Sequence, residues 1–458
     1  MGEPEHTDVV VIGMGPGGEY AAGALAEAGL HVTGIEERLV GGECPYFGCI
    51  PSKMMIRAGN LIAETRRVPG MAGTSTVTPD WSPVALRIRE EATDYWNDKV
   101  AADRFEAKGG HLVRGRGTIT GPGEVTVPSS DGARVFRARR GIVVNSGTAP
   151  LIPPTQGLAG TPYWTNREII QAEQVPASMI VLGGGAIGTE LAQVFSRFGT
   201  EVTVVEALPR LVSFEEPEAS DLIERIFTRE GIKVFTDAPA ERIGYRDGCF
   251  SVHLGGAVLT AAQLLVATGR RSDLAGLGVA AIGLDPAAYV IATDGWMRAA
   301  ESVWAIGDVT GVMTFTHVAK YQARIACADI FGEPARADYS AIPRVVFCDP
   351  EIAAVGLTVT SAREQGIDVA STSITLADQI SRPWTHEKDP GGELGVIADR
   401  ERKVLIGAWA VSPLASEWIH YAALAIKTRA PLAVLRDTVA QFPTYSEAYL
   451  KAIEALDV

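Results

Sequence analysis

The 458-residue sequence predicts an α/β protein with two doubly wound units, each on a mostly parallel sheet, followed by a further domain. Two copies of one local pattern, together with the length, carry that expectation. In the first copy, Asp8 to Ile12 is a continuous apolar run suited to a strand covered on both faces. Gly13-Met14-Gly15-Pro16-Gly17-Gly18 makes a turn, Glu19 to Ala28 an Ala-rich helix that Gly29 stops, and His31 to Glu36 the next strand. The second copy reads strand Ser178 to Leu182, turn Gly183-Gly184-Gly185-Ala186-Ile187-Gly188, helix Thr189 to Phe198 stopped by Gly199, and strand Glu201 to Glu206. A lone Gly-x-Gly-x-x-Gly is weak. Preceded by a strand, followed by a helix and closed by a carboxylate, it is a dinucleotide fingerprint. A chain this long exceeds one hydrophobic core and suggests about three domains.

Each fingerprint position has a physical task. The first glycine (Gly13, Gly183) makes the tight turn, and the second (Gly15, Gly185) lets a pyrophosphate approach the backbone. The third (Gly18, Gly188) packs helix on strand, so that the helix N-terminus offers N–H groups and the positive end of its dipole. Ile187 lies in the second turn. Glu36 and Glu206 stand where a carboxylate binds the adenosine ribose. Two fingerprints imply two dinucleotide sites, so one can hold a bound flavin and the other a nicotinamide. A 2′-phosphate beside Glu206 would be repelled, which favours NADH over NADPH, and Arg210 four residues on softens that preference.

Composition excludes several classes. Apolar residues make up 47% and charged residues 21%, as in a soluble globular protein, and the net charge of -14 argues against nucleic acid or an anionic membrane as partner. No apolar run approaches the roughly 18 residues of a membrane span. The acidic N-terminus passes straight into a strand, unlike a signal peptide, so a cytoplasmic location is expected. Five cysteines are too few for a structural disulfide framework in this length, and no His/Cys cluster has zinc-ligand spacing, so no metal site is expected. Cys249, Cys327 and Cys348 read as ordinary packing, whereas a close pair in a reducing compartment is more often catalytic.

Cys44 and Cys49 are such a pair, set between Gly41-Gly42 and Pro51-Ser52-Lys53. On a regular helix five positions separate them by about 7.5 Å along the axis and turn them to different faces. A disulfide requires Cα atoms within roughly 7 Å. The pair can close only if the backbone tightens, and Gly48 supplies some of that freedom. A bare five-residue spacing fits two unrelated buried cysteines equally well; the flanking glycines and Pro-Ser-Lys argue against that. The segment resembles the redox-active disulfide of the flavoprotein disulfide reductases, whose pattern Gly-Gly-x-Cys-x-x-x-x-Cys-x-Pro-Ser-Lys is met at Gly41, Gly42, Cys44, Cys49, Pro51, Ser52 and Lys53. The usual Val-Asn after the first cysteine is Pro45-Tyr46 here, a departure expected to reshape the disulfide pocket but keep its chemistry.

The resemblance covers nearly the whole chain. It implies an FAD-binding domain over residues 1–150 and 270–338, an NAD(P)-binding domain over 151–269 and an α+β dimerisation domain over 339–458, acting as a homodimer. Beside the first fingerprint it assigns Gly42, Gly117, Gly147, Thr148, Asp308 and His317 to FAD, with His317 contributing packing and backbone contacts. Asn145 to Thr148 and Ala267 to Arg271 resemble the strand ends that close the two domains, and Gly269 is assigned to the nicotinamide side. Asp308, after Trp304-Ala305-Ile306-Gly307, resembles the aspartate that binds the ribityl chain. Ile342 to Gly356 resembles the start of the dimerisation domain. Strands are expected at Glu393 to Ala398 and Val404 to Val411, a helix at Ser416 to Ile426, another at Ser82 to Arg104, and a loop over Asn60 to Pro79.

The implied chemistry is a relay. Nicotinamide gives hydride to one face of the flavin, and two electrons pass to the disulfide on the other. By resemblance Cys49 is the flavin-side thiolate and Cys44 the interchange thiol. Lys53 contacts the flavin near N5 and is paired by Glu190. The family's C-terminal motif His-Pro-Thr-x-x-Glu, supplied by the partner subunit, reads Phe442-Pro443-Thr444-Tyr445-Ser446-Glu447 here. The glutamate is kept and the base is not, a change worth about 10²–10⁴-fold in proton transfer. Tyr445 and Glu447 nearby in sequence, and His386 and His420 in the same domain, are the candidates to replace it. Mercuric reductases dispense with this histidine but carry a C-terminal cysteine pair, and Glu454-Ala455-Leu456-Asp457-Val458 has none. Two acceptor classes follow: a dithiol/disulfide served by a relocated base, or a quinone-like compound or specialised thiol needing no proton at Cys44. A non-enzymatic flavin-fold protein is the third reading, disfavoured by the joint survival of the cysteines, Lys53 and Glu190.

Overall fold

The computed structural model describes residues 3–130 and 132–458. It divides into two compact units.

The first unit comprises the chain up to Ser52, Leu86–Leu151 and Gly269–Asp338. Its main sheet has the order Arg298–Ala300, Val303–Ala305, Gly132–Val144, Glu5–Ile12, Val32–Glu36, His111–Arg114. The strands either side of Glu5–Ile12 run parallel to it, with Ile12 level with Ile35 and with Val144. Val9, Val10 and Val11 have no solvent exposure, which is why this strand reads as an unbroken apolar run. Glu124–Ser129 extends the sheet antiparallel to Gly132–Val144, and Thr118–Gly121 pairs antiparallel with Glu124–Ser129. The fingerprint helix Pro16–Glu27 packs on the helix Thr316–Ile330: a Cβ at Gly17 would lie 3.1 Å from the Ala319 carbonyl oxygen.

The second unit comprises Lys53–Ala85, Ile152–Thr268 and Tyr339–Val458. It holds a parallel sheet in the order Lys233–Phe235, Glu201–Val205, Ser178–Leu182, Gln263–Val266 and an antiparallel hairpin sheet over Arg242–Ala261. It also holds a five-stranded antiparallel sheet in the order Pro343–Val346, Glu351–Gly356, Val404–Ser412, Glu393–Asp399, Val369–Thr375. Helices including Ala415–Trp418, His420–Thr428 and Glu447–Glu454 cover that last sheet around buried Leu394, Val396, Trp418 and Tyr449.

Three local expectations are corrected. The helix Cys49–Arg67 runs into the stretch expected to be a loop, because Asn60 is engaged there: its Oδ1 accepts from Arg197 Nη1 at 2.6 Å. The expected helix Ser82 to Arg104 is instead Ser82–Arg87, a π-helical turn Ile88–Ala92, and Lys99–Ala107. Between them Asp94, Tyr95 and Trp96 take left-handed φ values of 46, 57 and 56°, and the Thr93 hydroxyl donates to the Ile88 carbonyl. The expected helix Ser416 to Ile426 is two, Ala415–Trp418 and His420–Thr428, parted at Ile419. The strands expected at 393–398 and 404–411 are found one residue longer, as Glu393–Asp399 and Val404–Ser412.

Arg197 ties the second unit together. Its side chain is 3% exposed and pairs with Glu230 at 2.7 Å and Asp349 at 2.9 Å, while Arg67 reaches the same Asp349 at 2.7 Å. Removing one partner from such a buried network costs about 3–5 kcal/mol, because the remaining charges stay desolvated. The variant Arg197→Met should therefore lose stability in that range, read as a lowered midpoint in denaturant unfolding. An unchanged midpoint would contradict the role assigned to this network.

Candidate active site

In the first unit the fingerprint turn is closed by backbone contact. Gly13 has φ +89, and a Cβ on it would meet the Asn145 carbonyl oxygen at 2.3 Å. A Cβ on Gly18 would meet the Gly13 carbonyl oxygen at 2.0 Å, so the third glycine does pack helix on strand. Gly15 is the N-cap of Pro16–Glu27 and offers no side-chain cap, so the first-turn N–H groups are left to a ligand. The buried carboxylate of Glu36 accepts from the Met14 N–H at 2.7 Å and the Arg38 N–H at 2.8 Å. Burial raises its pKa and these two bonds oppose the rise.

The cysteine segment is docked onto this turn. The Gly41 N–H donates to the Met14 carbonyl at 2.7 Å. Gly42 takes φ +68, and a Cβ there would lie 2.8 Å from Gly15 Cα. Cys44 sits in the short helix Glu43–Phe47, and Cys49 opens Cys49–Arg67. Gly48, at φ -144 and ψ -113, breaks the helix between them. This is the tightening the spacing demanded. Cys44 and Cys49 are not joined by a disulfide; they form a dithiol whose thiols are hydrogen-bonded to each other. That bond is the first cause of the upward shift of the Cys44 pKa and burial the second, opposed by Thr316 and Lys320. The Thr316 hydroxyl also lies 3.5 Å from Cys49 Sγ. Trp96 braces the segment, its Nε1 donating to the Tyr46 carbonyl at 3.2 Å and its ring stacking on Phe47.

The other residues assigned to the flavin side lie in the same unit. The Thr148 hydroxyl donates to Asp308 Oδ2 at 2.9 Å, and Arg270 Nε donates to Thr148 Oγ1 at 2.8 Å. Burial raises the Asp308 pKa, offset by the Thr148 bond and the Arg270 charge. A Cβ on Gly117 would touch Ile35 and Ile12 at 3.2 and 3.3 Å, placing this glycine at the ends of the fingerprint strands. Gly147 has φ +65 and open space where a Cβ would stand. His317 is exposed and stacks on Phe315 with ring centroids 5.2 Å apart.

The second unit repeats the arrangement. A Cβ on Gly183 would meet the Ala267 carbonyl oxygen at 2.4 Å and one on Gly188 the Gly183 carbonyl oxygen at 1.9 Å, whereas Gly185 faces open space. Gly185 caps the helix Ala186–Arg197 without a side chain, Ile187 is half-buried in its first turn, and Gly269, which belongs to the first unit, has φ +113. Glu206 accepts from the Gly184 N–H at 2.6 Å and the Leu208 N–H at 2.8 Å, the same two bonds that hold Glu36. The Arg210 guanidinium is spent on the Ser213 and Glu215 carbonyls and the Ser220 hydroxyl. Lys53 and Glu190 are brought together: Nζ lies 2.9 Å from Oε2, with Glu190 nearly buried. Sequence reasoning missed the third member. The Phe347 N–H donates to Glu190 Oε1 at 2.9 Å, and Lys53 Nζ stands 4.5 Å from the Phe347 ring centroid, within cation–π range.

At the C-terminal motif Phe442 is 71% exposed. Glu447 opens the helix Glu447–Glu454 and lines a surface cleft of 460 Å³ with Ser381, Trp384 and Thr385. Its Oε2 is buried with no partner among the described residues. Tyr445 is buried under Trp418, with His386 edge-on at 6.1 Å, and burial pushes its hydroxyl up to about 12. His420 is exposed at the start of its helix. Among the described residues no group of three or more His, Cys, Asp or Glu is arranged to hold a metal, and no helix is long and apolar enough to cross a membrane.

The two uncapped helix N-termini, the close-packed glycines behind them and the two tethered carboxylates fit dinucleotides. Comparison with known proteins agrees. Residues 7–323 match the family described as pyridine nucleotide-disulphide oxidoreductase, and residues 342–453 match the dimerisation domain of the same family. The chain is 33% identical to a mercuric reductase of Acidithiobacillus ferrooxidans over 99% of its length and 82% of the relative's. It is also 33% identical to a dihydrolipoyl dehydrogenase of Chlorobaculum tepidum over 97% of its length and 96% of that protein's. The solved structure of the HOCl-induced flavoprotein disulfide reductase RclA from Escherichia coli superposes with a TM-score of 0.85 at 26% identity, covering 98% of this chain and 99% of that one. The chain belongs to the pyridine nucleotide-disulphide oxidoreductase family: it is an FAD-dependent oxidoreductase that uses a pyridine nucleotide and a disulfide, and its dimerisation domain supports a homodimer. The non-enzymatic reading is thereby overturned.

The docking of Gly42 on Gly15 yields a direct check. Gly42→Ala adds a Cβ in a left-handed conformation against backbone and costs about 1–3 kcal/mol. The variant should purify with markedly less FAD per chain, read from the ratio of flavin to protein absorbance.

Proposed function

We propose that this enzyme passes electrons from NADH through FAD to the Cys44–Cys49 pair, and from Cys44 to an acceptor that requires no proton from position 442. The observation that carries the reading is that the thiols and Lys53 each keep their supporting contacts within their own unit, whereas the C-terminal motif lacks its base. The thiols meet across Gly48 beside Thr316, and Lys53 is held by Glu190. At the motif where the family carries histidine, Phe442 is exposed and the buried Oε2 of Glu447 meets no donor among the described residues. Tyr445 is poorly suited to replace the base, being buried with its pKa raised.

FAD, when bound, supplies two-electron chemistry between the nicotinamide and the thiols. The chain's own residues do the rest. Gly13, Gly15, Gly18, Gly42, Gly117, Gly147, Thr148, Asp308 and His317 would hold the FAD, with Glu36 on the adenosine ribose. Gly183, Gly185, Ile187, Gly188 and Gly269 would hold the nicotinamide dinucleotide. Glu190 holds Lys53 through an ion pair, and the Phe347 N–H in turn holds Glu190. Glu206 repels a 2′-phosphate, and Arg210, engaged by Ser213, Glu215 and Ser220, does not offset it. The acceptors that suit this outer site are a quinone-like compound or a low-pKa thiol's disulfide, whose leaving group needs no general acid. We place the enzyme in the cytoplasm, a reducing compartment in which a close cysteine pair serves catalysis rather than structure.

Anaerobic titration with NADH should raise a long-wavelength thiolate–flavin band at two electrons per FAD, and Cys49→Ser should abolish it. A wild-type titration without the band would sink the relay. In steady state kcat/KM should favour NADH over NADPH by about tenfold or more, a difference of roughly 1.4 kcal/mol in transition-state binding. Phe442→His should raise turnover of an ordinary disulfide such as lipoamide by about tenfold or more while leaving quinone turnover near its starting value. Vigorous lipoamide turnover by the unmodified enzyme would refute the missing-base argument.

A further inference from the structure

Within the first unit, one guanidinium is shared between the flavin side and the cysteine segment. The short strand Arg270–Arg271 pairs antiparallel with Ala149–Pro150, and the Leu151 N–H donates to the Gly269 carbonyl at 2.9 Å. Successive side chains of a strand leave on opposite faces. Arg271 accordingly lies over the Tyr289 ring, 4.9 Å from its centroid, while Arg270 turns to Thr148. Arg270 Nε donates to Thr148 Oγ1 at 2.8 Å and its Nη2 to the Thr148 carbonyl at 2.7 Å, a two-pronged grip on one residue. The same Nη2 stands 3.8 Å from Glu43 Oε2. Glu43 lies between Cys44 and Gly42, the residue docked on Gly15. Both partners are mostly withdrawn from water, with side chains 16% and 29% exposed.

A hydroxyl has one proton to give. Arg270 Nε donates into the Thr148 oxygen, so the Thr148 proton is committed to Asp308 Oδ2, 2.9 Å away. Without the guanidinium the hydroxyl is free to rotate and Asp308 loses a fixed donor. We propose that Arg270 is a positioning residue for the flavin carboxylate: through Thr148 it orients Asp308 to accept from a ribityl hydroxyl, and through Glu43 it ties that carboxylate to the segment bearing Cys44. The proposal rests on the assignment of Asp308 to FAD made above. The turn Gly307–Thr310 that carries Asp308 meets the helix Thr316–Ile330 through Gln322, an uncharged amide whose Oε1 accepts from the Gly307 N–H at 2.7 Å. Arg270 is the charge that acts on Asp308, and it opposes the rise in pKa that burial causes, in agreement with the geometry. Lysine cannot take this place, because an ammonium group has no planar fork to hold a hydroxyl and a carbonyl of one residue together. The Glu43 link is the weaker of the two, since an ion pair at this distance contributes little by itself. Its consequence is coupling: a change at Glu43 reaches Asp308 only while Arg270 is present.

The test uses the FAD-loaded enzyme and reads the rate at which FAD leaves on dilution, from the rise in flavin fluorescence, across about pH 5–8, above the usual carboxylate range. Release should quicken as pH falls through the Asp308 pKa, because protonation removes the charged acceptor. Arg270→Met should speed release about tenfold near neutrality and move the profile to higher pH by about one unit, since the opposing charge is gone. A merely structural loss would speed release equally at every pH. Arg270→Lys, which keeps the charge and loses the fork, should return the profile but not the slow release. Arg271→Met, on the other face of the same strand, should change neither. Glu43→Gln should speed release about two- to threefold in the unmodified enzyme and have no effect beside Arg270→Met. An unshifted Arg270→Met profile overturns the proposal, as does full restoration of slow release by Arg270→Lys. Equal effects of Glu43→Gln in both backgrounds overturn the link to the cysteine segment. Asp308→Asn separates the two readings: if it leaves release unchanged, the assignment of Asp308 to FAD fails. If it speeds release and Arg270→Met does not, the proposal alone fails.

Discussion

The approach of Gly42 to Gly15 is the constraint on which the site depends. Two backbones meet where any side chain would collide, and one of them takes a positive φ. One contact therefore fixes the mouth of the first fingerprint and the start of the cysteine segment together. The Gly41 N–H bond to the Met14 carbonyl and the Met14 N–H bond to Glu36 continue the same chain of contacts. The thiols are thus positioned by main chain, the least mobile part of the fold. That is the precision a two-electron relay needs, since a misplacement near 1 Å costs orders of magnitude in rate.

From that anchor the segment must bring together two residues that a continuous helix would hold apart. Gly48 interrupts the helix, and Cys49 begins a new one that carries Lys53 one turn later. Lys53 has its own support in Glu190 and Phe347, and Glu190 lies on the helix whose far end is clamped by Arg197. Structural and chemical roles are joined along single helices, so the Arg197 network contributes to Lys53 geometry as well as to stability.

Much of this was legible in the sequence where a local rule and a tertiary requirement coincide. Val9, Val10 and Val11 are an apolar run because the strand is covered on both faces, and the paired fingerprints announce themselves because the first and third glycines of each answer a steric demand. Legibility failed where the decisive partner lies far along the chain. The helix from Cys49 extends to Arg67 partly through the Arg197–Asn60 bond, which no local composition records. The helix from Ser82 breaks at Asp94, Tyr95 and Trp96, ordinary residues in left-handed conformations that carry no glycine signal. Thr316 adjoins His317, which the resemblance assigned to FAD, yet its contact with Cys49 spans 267 positions. Phe347 was hidden for the same reason, since its contribution to Glu190 is a backbone N–H that any residue would carry.

The outer site shows why loss of a base need not silence the inner one. A histidine at position 442 would do two jobs at Cys44: exchange a proton and, when protonated, supply positive charge. These jobs are separable. An enzyme without the base loses general-acid help for the leaving group. Its acceptors are then sorted by leaving-group pKa or by needing no thiol leaving group at all, which is the selectivity a specialised relay of this family would require. Glu447 keeps its carboxylate in a 460 Å³ cleft, with Oε2 buried and no partner among the described residues.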